Sequence, residues 1–237
     1  MTPDRPAAAP QADDERAERI LAAAHDLLLA WGYKRVTVDE IARRARIGKG
    51  TVYLHWRTKE TLFAELLRRD FHQRLGTVAA GIERDPSAAL PSRLVREVFL
   101  QQRHTPIAEA VHTGDSEVLG ALALTDNGLP VIQKLGFHAL LVRLVDVWRT
   151  HGLVNLTASA ADQICTIDAV MYGFITGGIA IPPDEVLPPD RRADLLGQTV
   201  GAALETPTAP TGATLRAAAR DVLAALADTR HTLAEAR

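Results

Sequence analysis

Residues 37–56, TVDEIARRARIGKGTVYLHW, decide how this chain is read. Thr37 is a good helix N-cap, and Glu40 three residues later completes a capping box, a start worth roughly 1 kcal/mol. Val38, Ile41, Ala42 and Ala45 follow at i, i+3, i+4 and i+7, so one face is apolar, and Arg43 and Arg44 fall off it. The pattern breaks at Arg46-Ile47-Gly48. Ile47 can tuck between two helices, and Gly48 is an acceptable N-cap for a second helix starting at Lys49. That helix must be short, because Thr58 caps a third. Two short helices joined by a tight turn, with cationic and hydroxyl side chains on the second, are the layout of a helix-turn-helix DNA reader.

The second helix suits contact with nucleic acid. Lys49 and Thr51 occupy its first turn, the part of a recognition helix that reaches base edges in the major groove. Gly50 lets the backbone approach a phosphate or base closely. Tyr53 and His55 can donate to phosphate oxygens, which fixes register without reading sequence. Val52 and Trp56, four apart, face inward. Lys59 starts the next helix, where free N–H groups also favour an anion.

A pattern this long resembles the TetR family of bacterial transcriptional regulators. Thr37-Val38, Ile41-Ala42, Ala45, Lys49-Gly50-Thr51-Val52-Tyr53, His55-Trp56, Lys59-Glu60 and Leu62-Phe63 carry the resemblance. It implies an all-α homodimer with three N-terminal helices that bind DNA and a larger helical domain that senses a small molecule. It also implies Thr37, Lys49, Thr51, Tyr53, His55 and Lys59 as DNA-contact positions. Two positions depart from the family pattern, which normally has Gly where Arg46 stands and often Ser where Gly48 stands. If the turn is left-handed, Arg46 costs on the order of 1–2 kcal/mol relative to Gly. In return it offers a phosphate contact.

At 237 residues the chain allows one or two domains and a substantial core. Nearly half of it, 47%, is hydrophobic, but aromatics are only 5%, and the abundance of Ala and Leu favours helices. A net charge of −2 does not announce a nucleic-acid binder; its distribution does. Residues 34–74 hold 11 Lys and Arg against 5 Asp and Glu, whereas residues 81–237 hold 13 against 18. A basic N-terminal module on an acidic body suits a DNA end and a non-DNA end. Cys165 is alone, so no intrachain disulfide forms and a reducing cytoplasm fits; its apolar neighbours suggest a core position. Residues 1–14 carry no signal-peptide apolar run. The longest apolar stretch, Ala169 to Ile181, is too short to span a membrane.

Residues 1–13 read as a disordered tail, 14–80 as a DNA-binding domain with its linking helix, and 81–237 as a helical regulatory and dimerisation domain. The first helix, from about Asp14 to Trp31, carries Ala17, Ile20, Leu21, Ala24, Leu27, Leu28 and Trp31 as a stripe and stops at Gly32. The helix after Thr58 continues to about Val78. Further helices fall near 88–103, 105–124, 129–151, 159–180, 191–205 and 212–235, with no convincing strand. Helix 129–151, apolar nearly all round, is expected at the centre of the second domain. Gly173 and Gly177 should let another helix approach closely, and Leu215, Ala219, Val222 and Leu226 form a packing seam. Helices 159–180 and 212–235 are the candidate dimer surface, with 191–205 beside them.

A cavity in the second domain is expected to be aliphatic-walled. Gln102, Arg103, Gln133, His138, Arg149 and Tyr172 are candidates to orient a ligand, and Phe99, Phe137, Trp148, Met171 and Phe174 to line it. Enzyme signatures fail. GKGT at 48–51 lacks the upstream Gly of a phosphate loop, there is no G-x-S-x-G, and the histidines lack metal spacing, so no catalytic residue, cofactor or metal is expected. The reading is a cytoplasmic, ligand-responsive DNA-binding regulator: a repressor that binds a near-palindromic operator as a homodimer and is released by a small molecule. Its alternatives are a constitutive regulator or activator, or an enzyme or carrier in the helical domain.

Overall fold

Glycine sets the first break in the chain. Helix α1 (Ala9–Arg35) is interrupted at Gly32, whose φ of 71° and ψ of 161° lie in a region essentially closed to residues with a Cβ. The computed structural model describes residues 9–102, 136–176 and 187–235. Within it the expected tail is shorter than the sequence suggests. Residues 9–13 are already helical, since Pro10 sits in the first turn, where no intrahelical N–H is needed. Ile20, Leu21, Ala24, Leu27 and Leu28 are buried, but Trp31, expected on the same stripe, is 42% exposed.

Three more helices complete the N-terminal half: α2 (Val38–Ala45), α3 (Lys49–His55) and α4 (Lys59–Arg84). The Thr37 hydroxyl accepts from the Glu40 N–H at 3.3 Å. The Glu40 carboxylate instead pairs with Arg43, so one arm of the expected box is present. At the other end Arg46 has φ 57° and ψ 47°. Its N–H donates to the Arg43 carbonyl at 3.2 Å, and the Ile47 N–H donates to the Ala42 carbonyl at 3.0 Å. These two bonds form a Schellman motif with arginine at the left-handed position. Thr58 and Thr61 then exchange backbone-to-hydroxyl bonds, both 3.2 Å, at the start of α4. That helix runs six residues past the expected Val78, through Gly81, to Arg84.

Beyond a 3₁₀ turn (Pro86–Ala89), the second half contains α5 (Pro91–Gln102), α6 (Phe137–Thr150), α7 (Ala160–Thr176), α8 (Pro189–Leu204) and α9 (Gly212–Glu235). Among the described residues there is no strand, only an isolated bridge between Val154 and Glu205. The helix expected over 105–124 and the first residues of that over 129–151 lie outside the described residues.

Expectations for α6, Gly173 and Cys165 are corrected, and the α9 seam is placed. Helix α6 is one-sided: Leu140, Leu144, Val145 and Trp148 are buried, while Val142 is 41% exposed and Arg143 and Asp146 share its open side. The close helix approach is not at Gly173, where an added Cβ would meet nothing within 4 Å. It is at Gly197 on α8, where a Cβ would stand 2.8 Å from the Ser92 carbonyl oxygen of α5. Gly177 lies outside the described residues. The α9 seam is used within the subunit, with Ala219, Val222 and Leu226 buried and the helix packed on α4 and α6. Cys165, expected in the core, is exposed, because α7 turns Ile167, Met171 and Ile175 inward instead.

Candidate nucleic-acid interface and cavity

The short helix α3 divides cleanly by face. Val52 is 1% exposed and Trp56 packs against the same core. Lys49, Gly50, Tyr53 and Leu54 are exposed on the other side, Leu54 at 86%. Sequence reasoning passed over Leu54, although it follows Gly50 by four residues and so shares the outward face. An apolar tip there suits a thymine methyl group in the major groove. Among the described residues a Cβ on Gly50 would meet nothing within 4 Å, which leaves the backbone there open. Thr51 is half-buried.

Around this face the other candidates separate. Thr37 and Arg46 are exposed at the two ends of α2. Lys49 is exposed but paired, its Nζ 2.7 Å from Asp39 Oδ2, and that hydrogen bond pushes its pKa up. His55 is half-buried against the Trp56 ring, with Nε2 3.5 Å from Asp13 of α1. Lys59 does not project as an open cation at the start of α4. Its Nζ donates to the carbonyls of Tyr33 at 2.8 Å and Val36 at 3.0 Å, and it stands 3.8 Å over the Tyr33 ring. Burial lowers its pKa. Tyr33 in turn donates to Glu60 at 2.9 Å and meets Phe63 edge-on at 5.2 Å. Lys59 therefore fastens the segment after Gly32 to α4. Arg44 ties α2 to α1 through Asp26 at 2.8 Å.

The second half holds a cavity of about 350 Å³. Its walls are apolar, with Leu75 and Val78 from α4, Val95 and Val98 from α5, Leu144 from α6 and Ile167 from α7. Four expected residues line it: Phe137, His138, Trp148 and Met171. Phe99, Arg149, Tyr172 and Phe174 are elsewhere. Phe99 is core under the Arg192 guanidinium, 5.5 Å from its ring, and Arg192 also donates to the Phe174 carbonyl. Arg149 holds the loop after α6 through the Ala158 carbonyl and Gln163, both 2.9 Å. Tyr172 is half exposed on the outer side of α7. The side chain of Gln102, and Arg103 and Gln133, lie outside the described residues.

Phe71, which helical spacing after Thr58 places on the apolar face of α4 with Leu62, Phe63, Leu66 and Leu67, and Arg74 were not expected to line the cavity, and both do. Spacing along α4 does not show that a cavity lies beyond. Among the described residues no three His, Cys, Asp or Glu side chains gather to hold a metal ion, and no helix is long and apolar enough to cross a membrane.

Comparison with known proteins agrees with this arrangement. The family model for bacterial regulatory proteins of the tetR family matches residues 20–66, which are α1 through the first turns of α4. The HTH-type transcriptional regulator SrpR of Pseudomonas putida is 33% identical over 166 residues, 69% of this chain and 73% of that protein. This chain belongs to the tetR family. A second relative, the uncharacterised HTH-type regulator YdeS of Bacillus subtilis, is 34% identical over 103 residues, 43% of this chain. The match spans 51% of YdeS. Among solved structures, NalD of Pseudomonas aeruginosa, described as the secondary repressor of a multidrug efflux pump, superposes with a TM-score of 0.61 at 17% identity. That superposition covers 84% of this chain and all of NalD, and so shares the fold.

Proposed function

We propose that this tetR-family protein is a homodimeric transcriptional repressor, acting in the cytoplasm, that binds a near-palindromic operator through α3 and is released by a small molecule in the cavity. The observation that carries the reading is the division of α3. One face closes the N-terminal core through Val52, and the other exposes Gly50, Tyr53 and Leu54, with Lys49 exposed beside them and paired to Asp39. Thr37 and Arg46 flank it as phosphate contacts, which position a reader without carrying sequence. His55 and Lys59 support the reader from behind. Repression is favoured by the description of NalD.

Effector control follows from α4. Leu62, Phe63, Leu66 and Leu67 bury its first half in the N-terminal core, and Phe71, Leu75 and Val78 of its second half face the cavity. A ligand that binds two orientations of α4 unequally shifts the spacing of the two readers. For the second subunit, the exposed side of α7 offers Ala161, Cys165, Ala169, Tyr172 and Gly173, small residues beside one aromatic, as the pairing surface.

The double variant Lys49→Ala/Tyr53→Ala tests the reading. It should keep the helical circular-dichroism signal and the dimer, and lose operator binding at least tenfold, as expected for losing two or more contacts to bases and phosphates. Unchanged operator affinity would place the recognition surface elsewhere.

A further inference from the structure

Among the described residues, the lining of the cavity is mostly apolar and holds one buried charge. Arg74, on α4, is only 13% exposed and lines the wall. Its Nε donates to Asp70 Oδ2 at 2.9 Å, and its guanidinium carbon stands 5.5 Å from the Phe71 ring and 6.0 Å from the Phe137 ring. A guanidinium has five N–H donors in a fixed fork. Among the described residues this one makes no other hydrogen bond. Nor is it sealed away: among the described residues the fully buried side-chain nitrogen without a partner is Nε of Arg230, so the terminal nitrogens of Arg74 keep accessible surface on a residue that lines the cavity. The other polar residues on the wall are Gln101, His138 and Asp168, the last two exposed at the rim.

We infer that the cavity takes an amphipathic carboxylate, its head on the two terminal nitrogens of Arg74 and its hydrocarbon body along Leu75, Val78, Leu144 and Trp148. A carboxylate matches that edge of the fork with two parallel charge-assisted bonds. A neutral apolar ligand leaves those N–H groups without a partner in a low-dielectric site. A cation meets Arg74 itself and, among the described lining residues, finds only Asp168, exposed at the rim. Burial disfavours the charge on both Arg74 and Asp70. A second carboxylate competes with Asp70 for the guanidinium. Asp70 lies one turn nearer the DNA-binding half on α4. This inference rests on the reading of the cavity as the effector site.

The test is calorimetric binding to the full-length protein of three probes of equal chain length, below their aggregation concentrations: decanoate, decanol and decyltrimethylammonium. Decanoate should bind about tenfold or more tightly than either of the others, the effect of hydrogen bonds to a charged group. Arg74→Met should remove that advantage and leave decanol binding unchanged. Should Arg74→Met unfold by leaving Asp70 without its partner, Arg74→Met/Asp70→Asn gives the same comparison with an uncharged pair. Equal binding of the three probes, preference for the ammonium, binding of none, or a decanoate advantage that survives both variants would overturn the inference. Operator affinity measured alongside separates the two readings. Decanoate that binds through Arg74 without weakening operator binding contradicts the effector reading alone. Release of operator by decanol or the ammonium contradicts the carboxylate alone.

Discussion

Arg46 holds a left-handed backbone where glycine is unstrained, and it is the only non-glycine with positive φ among the described residues. The conformation costs on the order of 1–2 kcal/mol, while glycine would add about 0.4–1 kcal/mol of unfolded-state entropy. Arg46→Gly should therefore stabilise the N-terminal half by roughly 0.5–1 kcal/mol net, seen as a higher denaturation midpoint. It should also weaken DNA binding by removing a cation beside α3. A variant that is more stable and binds as well would show that Arg46 touches no phosphate. Lys49 supplies the opposite case. In the proposed complex its ion pair with Asp39 competes with a contact of the ammonium to DNA. Asp39→Asn frees the lysine and removes a negative charge from the interface, so operator affinity should rise about two- to fivefold, the scale of an exposed pair. A fall in affinity would mean that Asp39 orients Lys49 for its contact.

Element packing is sharpest where α5 and α8 cross. With no room for a Cβ at Gly197, Gly197→Ala must push the Ser92 backbone away, an overpacking cost of about 1–3 kcal/mol. Gly173→Ala, in open space on α7, should leave the thermal stability of the subunit unchanged. Equal effects of the two substitutions on melting temperature would contradict this packing. The contrast also marks what the sequence made legible. The break in α1, the starts of α2, α3 and α4 and the approach to α8 were readable because local chemistry sets them: Gly32 as a break, Thr37, Gly48 and Thr58 as caps, and prolines before α8. The same holds for the outward face of α3, which follows from periodicity in a helix of seven residues. Which helix meets which was not readable, because Gly173 and Gly197 look alike until the partner backbone is in place. Arg74 was passed over for the same reason, as one of several arginines on a long helix until the opposite cavity wall is known. Lys59 shows the converse, since a cation at a helix start looks free in sequence, whereas the fold closes it under Tyr33.

At the scale of the whole molecule, α4 is the only described helix that belongs both to the DNA-binding core and to the cavity wall. Helix α9 braces it along its length, with the Arg68 guanidinium on the Leu233 carbonyl and Arg230 lying over Gly76. Two such subunits, paired by a two-fold axis, would present their readers to half-sites about 34–36 Å apart, or a multiple of that. The most direct measurement is genome-wide footprinting of the protein on DNA from its own source. Enrichment of near-palindromic sites whose half-sites are spaced by about one helical turn or a multiple, lost with Lys49→Ala/Tyr53→Ala, is the result predicted. Binding spread evenly over the genome, or enriched sites that keep their occupancy in that double variant, would contradict the account.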